Sequence, residues 1–312
     1  MQKRYGEKDS ALAFILAIVL PNVFAFLCIL LLAFFIGIEN VEKSLIYNYL
    51  SLIICQVAFL AIYFYVTIKG KVSFRAISHK KISIKQIILL LLISFCCLFF
   101  ISPIINVFDE LLVSFGIPKQ GLSLDITKPI NFVFYLFSAG ILAPVCEELL
   151  FRGLILNGIE KQGKVRAVLI SSLMFMLIHL NIHQTIYQFL LGGIFAIIVL
   201  NTDSIYSSIF VHIVNNCVVL LINYINPSLF SYKFLSPSYI VLAIVCLIIG
   251  LMCVYYLLKF LKSPSQNNKC VKNNEILEQS TQSSYLTKNF DYVNLSLISG
   301  IIIWILIIIL TI

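Results

Sequence analysis

The sequence predicts an all-α membrane protein, a polytopic transmembrane helix bundle of about eight to nine spans, and three observations carry that prediction. Apolar residues make up 61% of the 312 and charged residues only 12%, where a soluble domain carries about twice that charge. Mean hydropathy is +1.02. The apolar residues fall in runs of roughly 17–28, each long enough to cross a hydrocarbon core of about 30 Å. Lipid offers the backbone no hydrogen-bond partners, so such runs must be helices. The alternation expected of barrel strands is absent.

Taken in order, helices are expected at 11–38, 48–68, 87–108, 131–157, 167–183, 185–200, 204–224, 238–261 and 295–312. The first run is too long for a signal-peptide core and shows no small-residue cleavage site, so it reads as a retained helix. The runs 167–183 and 185–200 are short and nearly touch. The stretch 262–294 is rich in Ser, Asn, Gln and Lys and has no apolar stripe, which marks a polar cytoplasmic linker. The expected organisation is 1–130 as N-terminal membrane helices (about three spans), 131–225 as the central core, 226–261 as a further span, the linker, and 295–312 as a short C-terminal span. No internal repeat of the kind common in transporters is present.

The net charge of +8 does not point to nucleic acid, because the cations follow topology. Lys3, Arg4 and Lys8 precede the first span, Lys69, Lys71, Arg75, Lys80, Lys81 and Lys85 fill the loop 69–86, and Lys161, Lys164 and Arg166 fill 158–166. With nine spans these segments share one side, which the positive-inside bias makes the cytoplasm. The alternate loops hold only Lys43, Lys119, Lys128 and Lys233, and Asp203 runs against the trend. The nine cysteines are scattered through apolar runs without a CxxC pair, as expected of small hydrophobes and not of a disulfide framework.

Charged groups inside a span are costly and need a reason. The unusual ones lie together: Glu147, Glu148 and Arg152 in the fourth run, His179 and His183 in and at the end of the fifth, and His212, Asn215 and Asn216 in the seventh. Glu148 and Arg152 are spaced i,i+4 with the acid first, the better orientation for a helical ion pair. Glu147 is turned about 100° away and must find a partner on another helix. His212 and Asn216 are also i,i+4 and share a face. At about 1.5 Å per residue, Glu147, His179 and His212 lie about 15, about 18 and about 12 Å from the cytoplasmic end of their helices. A common site in that half of the membrane is therefore geometrically allowed.

Glu147-Glu148-xxx-Arg152, Phe175-xxx-His179 and His212-xxx-Asn216 resemble the three motifs of the CPBP family, which contains the type II CAAX prenyl endopeptidases and bacteriocin-processing or immunity membrane proteins. The resemblance covers about residues 130–225; residues 1–120 and the tail from 262 carry none of it. It implies an intramembrane peptidase. Glu147 and His179 would activate a water, His212 and Asn216 would hold the oxyanion, and Glu148 and Arg152 would orient the set. The chemistry is sound on its own terms, since a carboxylate withdrawn from water is a better base. Donors aimed at a developing oxyanion are worth a few kcal/mol. One carboxylate and two histidines also match a catalytic zinc set, which makes Glu147, His179 and His212 the ligands if a divalent metal is used. The His179–His183 pair lacks the Glu of an HExxH motif.

Blander readings stand beside these. The two acids would sit at the interface if the fourth span ended near Val145, but the apolar residues Leu149, Leu150, Phe151, Leu154, Ile155 and Leu156 argue against that. His179 alone would read as a histidine packed between helices, and His183 as an interfacial residue. Cys146 beside Glu147 reads as a small apolar residue, not a nucleophile. Gly192-Gly193 reads as a close helix approach. The expected substrate is a membrane-associated peptide or protein: a prenylated CAAX protein on the resemblance, or a peptide pheromone, bacteriocin leader or signal-like peptide given the bacterial-looking Ile/Lys/Asn-rich composition. The expected location is a bacterial plasma membrane with the N-terminus cytoplasmic. A non-catalytic bacteriocin self-immunity or scaffold protein is the alternative, and a transporter using the buried charges a third. The oligomeric state has no sequence signature here.

Overall fold

The computed structural model describes residues 6–41, 43–70, 80–119, 125–226, 236–261 and 291–311. The linker expected at 262–294 falls outside these residues up to 290, as do Lys3, Arg4, Lys71, Arg75 and Lys233. Among the described residues there are nine helices of 14 residues or more, here α1 (Glu7–Ile36), α2 (Leu45–Gly70), α3 (Ile84–Ser114), α4 (Pro129–Gln162), α5 (Lys164–Leu177), α6 (Thr185–Thr202), α7 (Ile205–Ile225), α8 (Pro237–Phe260) and α9 (Tyr292–Thr311). All but α5 are long and apolar enough to cross a membrane. The chain is an all-α, polytopic, integral membrane protein.

The fifth expected span is corrected. Where a helix over 167–183 was expected, α5 stops at Leu177 after 14 residues, a rise of about 21 Å that falls short of a hydrocarbon core. The cause is local. Leu180 adopts a left-handed φ of 48°, which ends the helix. The Asn181 side chain then accepts from the His183 backbone N–H at 2.9 Å and starts the single 3-10 turn Ile182–Gln184 ahead of α6. His179 and His183 therefore lie on the connection between two antiparallel helices and not on a span.

Side chains at the helix ends tie the bundle together. Lys80 stands 2.6 Å from Asp203, so the acid that ran against the charge trend is neutralised by the basic loop before α3. Ser204 donates to the Lys80 carbonyl. Arg166 at the start of α5 meets Asp291 at 2.5 Å, and Lys8 lies over the Tyr292 ring, which docks the start of α9 beside the start of α1. Exposed ion pairs of this kind contribute little. The apolar contacts carry more of the docking: Gly300 of α9 sits so close to Phe14 of α1 that a Cβ would fall 2.7 Å from the ring.

Two buried apolar clusters flank the middle of the bundle. One joins α1, α2, the second half of α4 and α5 around Phe14, Tyr63, Phe151 and Phe175. The other joins α3, α6, α7 and α8 around Leu90, Ile101, Phe195 and Val211. Cys146 is 1% exposed within the first cluster, where it serves as a small packing residue. The polar residues of α4 and α7 meet at the seam between the two clusters.

Candidate functional site

The helix that carries the acids is not a regular α-helix. Wider π turns occupy Leu136–Leu142 and Leu149–Leu156, leaving a short α segment, Ala143–Glu148, between them. Such interruptions occur often at functional sites. Here the first has an identifiable cause. Pro144 has no N–H to return to the Gly140 carbonyl, and the Ala143 N–H bonds to Ser138, leaving the Ala139 carbonyl without it. Both freed carbonyls are satisfied from α7: Asn216 Nδ2 donates to Ala139 at 3.0 Å and the Cys217 thiol to Gly140 at 3.5 Å. The absence of a side chain at Gly140 permits this approach, since a Cβ there would lie 3.1 Å from Cys217 Sγ. The π turn thus docks α7 on α4 about two turns before the acids.

Glu148 lies at the centre. Its side chain and that of Arg152 are both 0% exposed, and Arg152 Nε is 3.2 Å from Glu148 Oε2, close enough for an ion pair though not aligned as a hydrogen bond. The i,i+4 spacing predicted this pair. It did not predict that Glu148 Oε1 would also lie 3.2 Å from Nδ1 of His212, nor that the Ser208 hydroxyl would support Glu148 as well. Ser208 lies four residues before His212, so the polar stripe Ser208–His212–Asn216 was visible in the sequence as an i, i+4, i+8 series.

Arg152 is enclosed. Nη2 donates to the Gly192 carbonyl of α6 at 2.9 Å, and the guanidinium carbon lies 4.5 Å from the Phe175 ring centroid, 5.5 Å from that of Phe195 and 5.9 Å from that of Phe151. Rings from both apolar clusters therefore surround one cation, an attraction that strengthens away from water. Gly192 lies against α5 so closely that a Cβ would be 3.1 Å from Ser172 Cα. Of the Gly192-Gly193 pair, Gly192 makes the close approach, since a Cβ on Gly193 would meet only Ser172 Oγ at 3.5 Å.

Glu147 is the more open of the two acids, with 13% of its side chain exposed, and its Oε2 is 3.8 Å from Nε2 of His212. The partner it lacked on its own helix is thus on α7, and His212 stands between two carboxylates. Phe175 connects the remaining motif: its ring centroid is 5.0 Å from that of His179 and 5.9 Å from that of His212. His179 Nδ1 lies 2.8 Å from the Phe175 carbonyl. That carbonyl can only accept, so Nδ1 carries the proton and Nε2 is left with a lone pair.

Asn215 and Asn216 divide as the helical phase suggests. Asn216 reaches α4, whereas Asn215 is buried and accepts from the Tyr187 hydroxyl at 2.8 Å. Sequence reading missed Tyr187, which lies on another helix and forms no spaced motif with the asparagines. His183, expected near a span end, is buried within the protein, with Nδ1 3.1 Å from Asp109 Oδ1 near the end of α3. It pins the connection that carries His179. The zinc alternative finds no support in the arrangement: among the described residues no group of three or more His, Cys, Asp and Glu side chains is placed to hold a metal ion.

Residues 129–218 match a family described as Rce1-like, type II CAAX prenyl endopeptidase Rce1-like. The matched segment contains α4, α5, α6 and most of α7, with all three motifs, and bears out the resemblance read from them. No curated protein and no solved structure matches the chain.

Proposed function

We propose that this protein is an intramembrane endopeptidase that hydrolyses a peptide bond in a membrane-associated peptide or protein. The observation that carries the proposal is His212 held between two carboxylates, one paired to a buried arginine and one partly open. A purely structural ion pair has no need of the second acid. The match of residues 129–218 to the Rce1-like peptidases supports the same reading.

In this mechanism a water lies between Glu147 and His179. It donates one hydrogen to the His179 Nε2 lone pair and the other to the Glu147 carboxylate, which takes that proton as the oxygen attacks the substrate carbonyl. Negative charge moves to the carbonyl oxygen, and His212 Nε2–H and an Asn216 amide N–H hold it there. This role requires His212 to carry protons on both nitrogens, with Nδ1–H donating to Glu148. When the C–N bond breaks, the proton on Glu147 passes to the leaving nitrogen. Glu148 and Arg152 touch no substrate; they fix His212. No step needs a metal.

The basic segments before α1, α3 and α5 support a cytoplasmic N-terminus, and the Ile/Lys/Asn-rich composition supports a bacterial plasma membrane. The substrates that fit this location are a peptide pheromone, a bacteriocin leader or a signal-like peptide, with a prenylated CAAX protein suggested by the family match. The test is comparative peptidomics of cells expressing either the wild type or Glu147→Ala at matched membrane levels. Peptides found only with the wild type, and lost again with His212→Ala, support the peptidase and supply its substrate class. Peptide profiles that stay alike, with both forms protecting cells against a membrane-active peptide, would replace it with a non-catalytic immunity protein.

A further inference from the structure

Behind Asn216 runs a chain of hydrogen-bonded side chains, Tyr187, Asn215 and Asn216, in which each link has a defined direction.

Tyr187 is the starting point. Its hydroxyl lies 2.8 Å from Asn215 Oδ1, and that carbonyl oxygen can only accept, so the phenol is the donor. With Oδ1 committed to Tyr187, the Asn215 amide must present its nitrogen on the other side. There Nδ2 stands 3.4 Å from Asn216 Oδ1, the longest link of the chain. The oxygen of Asn216 is thereby turned toward Asn215, and its nitrogen toward α4, where Nδ2 donates to the Ala139 carbonyl at 3.0 Å. An amide nitrogen has two hydrogens. One is used on Ala139, and the second is free for a ligand.

An asparagine amide can rotate by half a turn at little steric cost, because its two ends are nearly the same size. What chooses between the orientations is the set of partners. In the reverse orientation Asn216 would set its oxygen against the Ala139 carbonyl, acceptor against acceptor, and its nitrogen against the Asn215 nitrogen. Ala139 acts from one side and Asn215 from the other. Asn215 alone could rotate too, and the Tyr187 hydroxyl prevents it. Buried polar chains of this kind specify one arrangement because each member is satisfied only if all are.

We infer that Tyr187 and Asn215 are positioning residues that orient the Asn216 amide so that an N–H, and not a carbonyl oxygen, faces the reacting group. The inference rests on the peptidase reading and specifies how its oxyanion donor is set. A carbonyl oxygen in that place would repel the developing negative charge. The phenol acts on catalysis through two amides without touching substrate.

The test uses the full-length protein in membranes and follows the rate at which the wild-type-dependent peptides are released. Tyr187→Phe keeps the ring and removes only the donor; Asn215→Asp keeps the acceptor for Tyr187 and removes the donor to Asn216. Each is expected to slow release about tenfold, less than the roughly 10²-fold loss typical of deleting an oxyanion donor outright. The decisive measurement repeats Tyr187→Phe in an Asn216→Ala background. If the tyrosine acts through Asn216, its effect there shrinks to less than about twofold, since mutations in one network are not additive. An undiminished effect overturns the inference, because a general loss of packing would persist without Asn216. So does a wild-type rate in Tyr187→Phe alone. Release that is untouched by Asn216→Ala would instead remove Asn216 from the site, a distinct result that bears on the mechanism itself.

Discussion

Nδ1 of His212 lies 3.2 Å from Oε1 of Glu148, across 64 residues of sequence, and this contact joins the ion pair within α4 to the polar face of α7. It gives the two adjacent acids different duties. Glu148 is committed to Arg152 and His212, and Glu147 retains a more open oxygen pair.

From this division, Glu147→Gln and Glu148→Gln should fail in different ways. Glu147→Gln is expected to lower peptide release by about 10²–10⁴-fold, the usual share of a general base, with membrane level and thermal stability close to wild type. Glu148→Gln strands a fully buried guanidinium, a loss on the order of 3–5 kcal/mol. It should appear as reduced accumulation and an earlier thermal aggregation point in detergent. Equal instability in both variants would contradict the assignment.

Arg152→Lys should not behave as a conservative change. An ammonium keeps the charge but can neither stack on three rings nor reach Glu148 and the Gly192 carbonyl at once. The expected result is a thermal stability nearer to Arg152→Ala than to wild type, read in the same aggregation assay. Wild-type stability would mean that charge alone matters there.

The adjacent glycines of α6 should differ. A Cβ on Gly192 would meet Ser172 Cα at 3.1 Å and Phe175 Cδ1 at 3.3 Å, whereas on Gly193 it would meet Ser172 Oγ at an ordinary 3.5 Å. Gly192→Ala is expected to cost about 1–3 kcal/mol and to displace Phe175, against which His179 packs. Peptide release should therefore fall while Gly193→Ala remains near wild type. Indistinguishable variants would show that α5 and α6 can separate freely.

At the α9 junction, packing should outweigh charge. Gly300→Ala drives a Cβ to 2.7 Å from the Phe14 ring and should destabilise by about 1–3 kcal/mol. Asp291→Asn removes the ion pair with Arg166, in which both side chains are about a third exposed or more, and should cost less than about 1 kcal/mol. Thermal unfolding of the two purified variants gives the order directly; the reverse order would make the ion pair the anchor.

The sequence by itself determined that the chain is a membrane helix bundle, because length and apolar content of a run fix whether it can cross lipid. It also determined what lies on one helix face: the Glu148–Arg152 pair and the stripe Ser208–His212–Asn216 follow from helical spacing alone. Only the tertiary structure decided which faces meet. Periodicity within a helix says nothing of its rotation against a neighbour, so the pairing of His212 with both acids and of Tyr187 with Asn215 could not be read along the chain. The π turns of α4 lay hidden for a related reason: they trade regular backbone hydrogen bonds for contacts that exist only after the helices have packed, as when Asn216 satisfies the carbonyl of Ala139. The stop of α5 at Leu177 is local, but it rests on a left-handed Leu180, a conformation that leucine does not announce in a sequence. Local sequence sets the menu of faces, and the fit of residues such as Gly140, Gly192 and Phe175 between helices chooses among them.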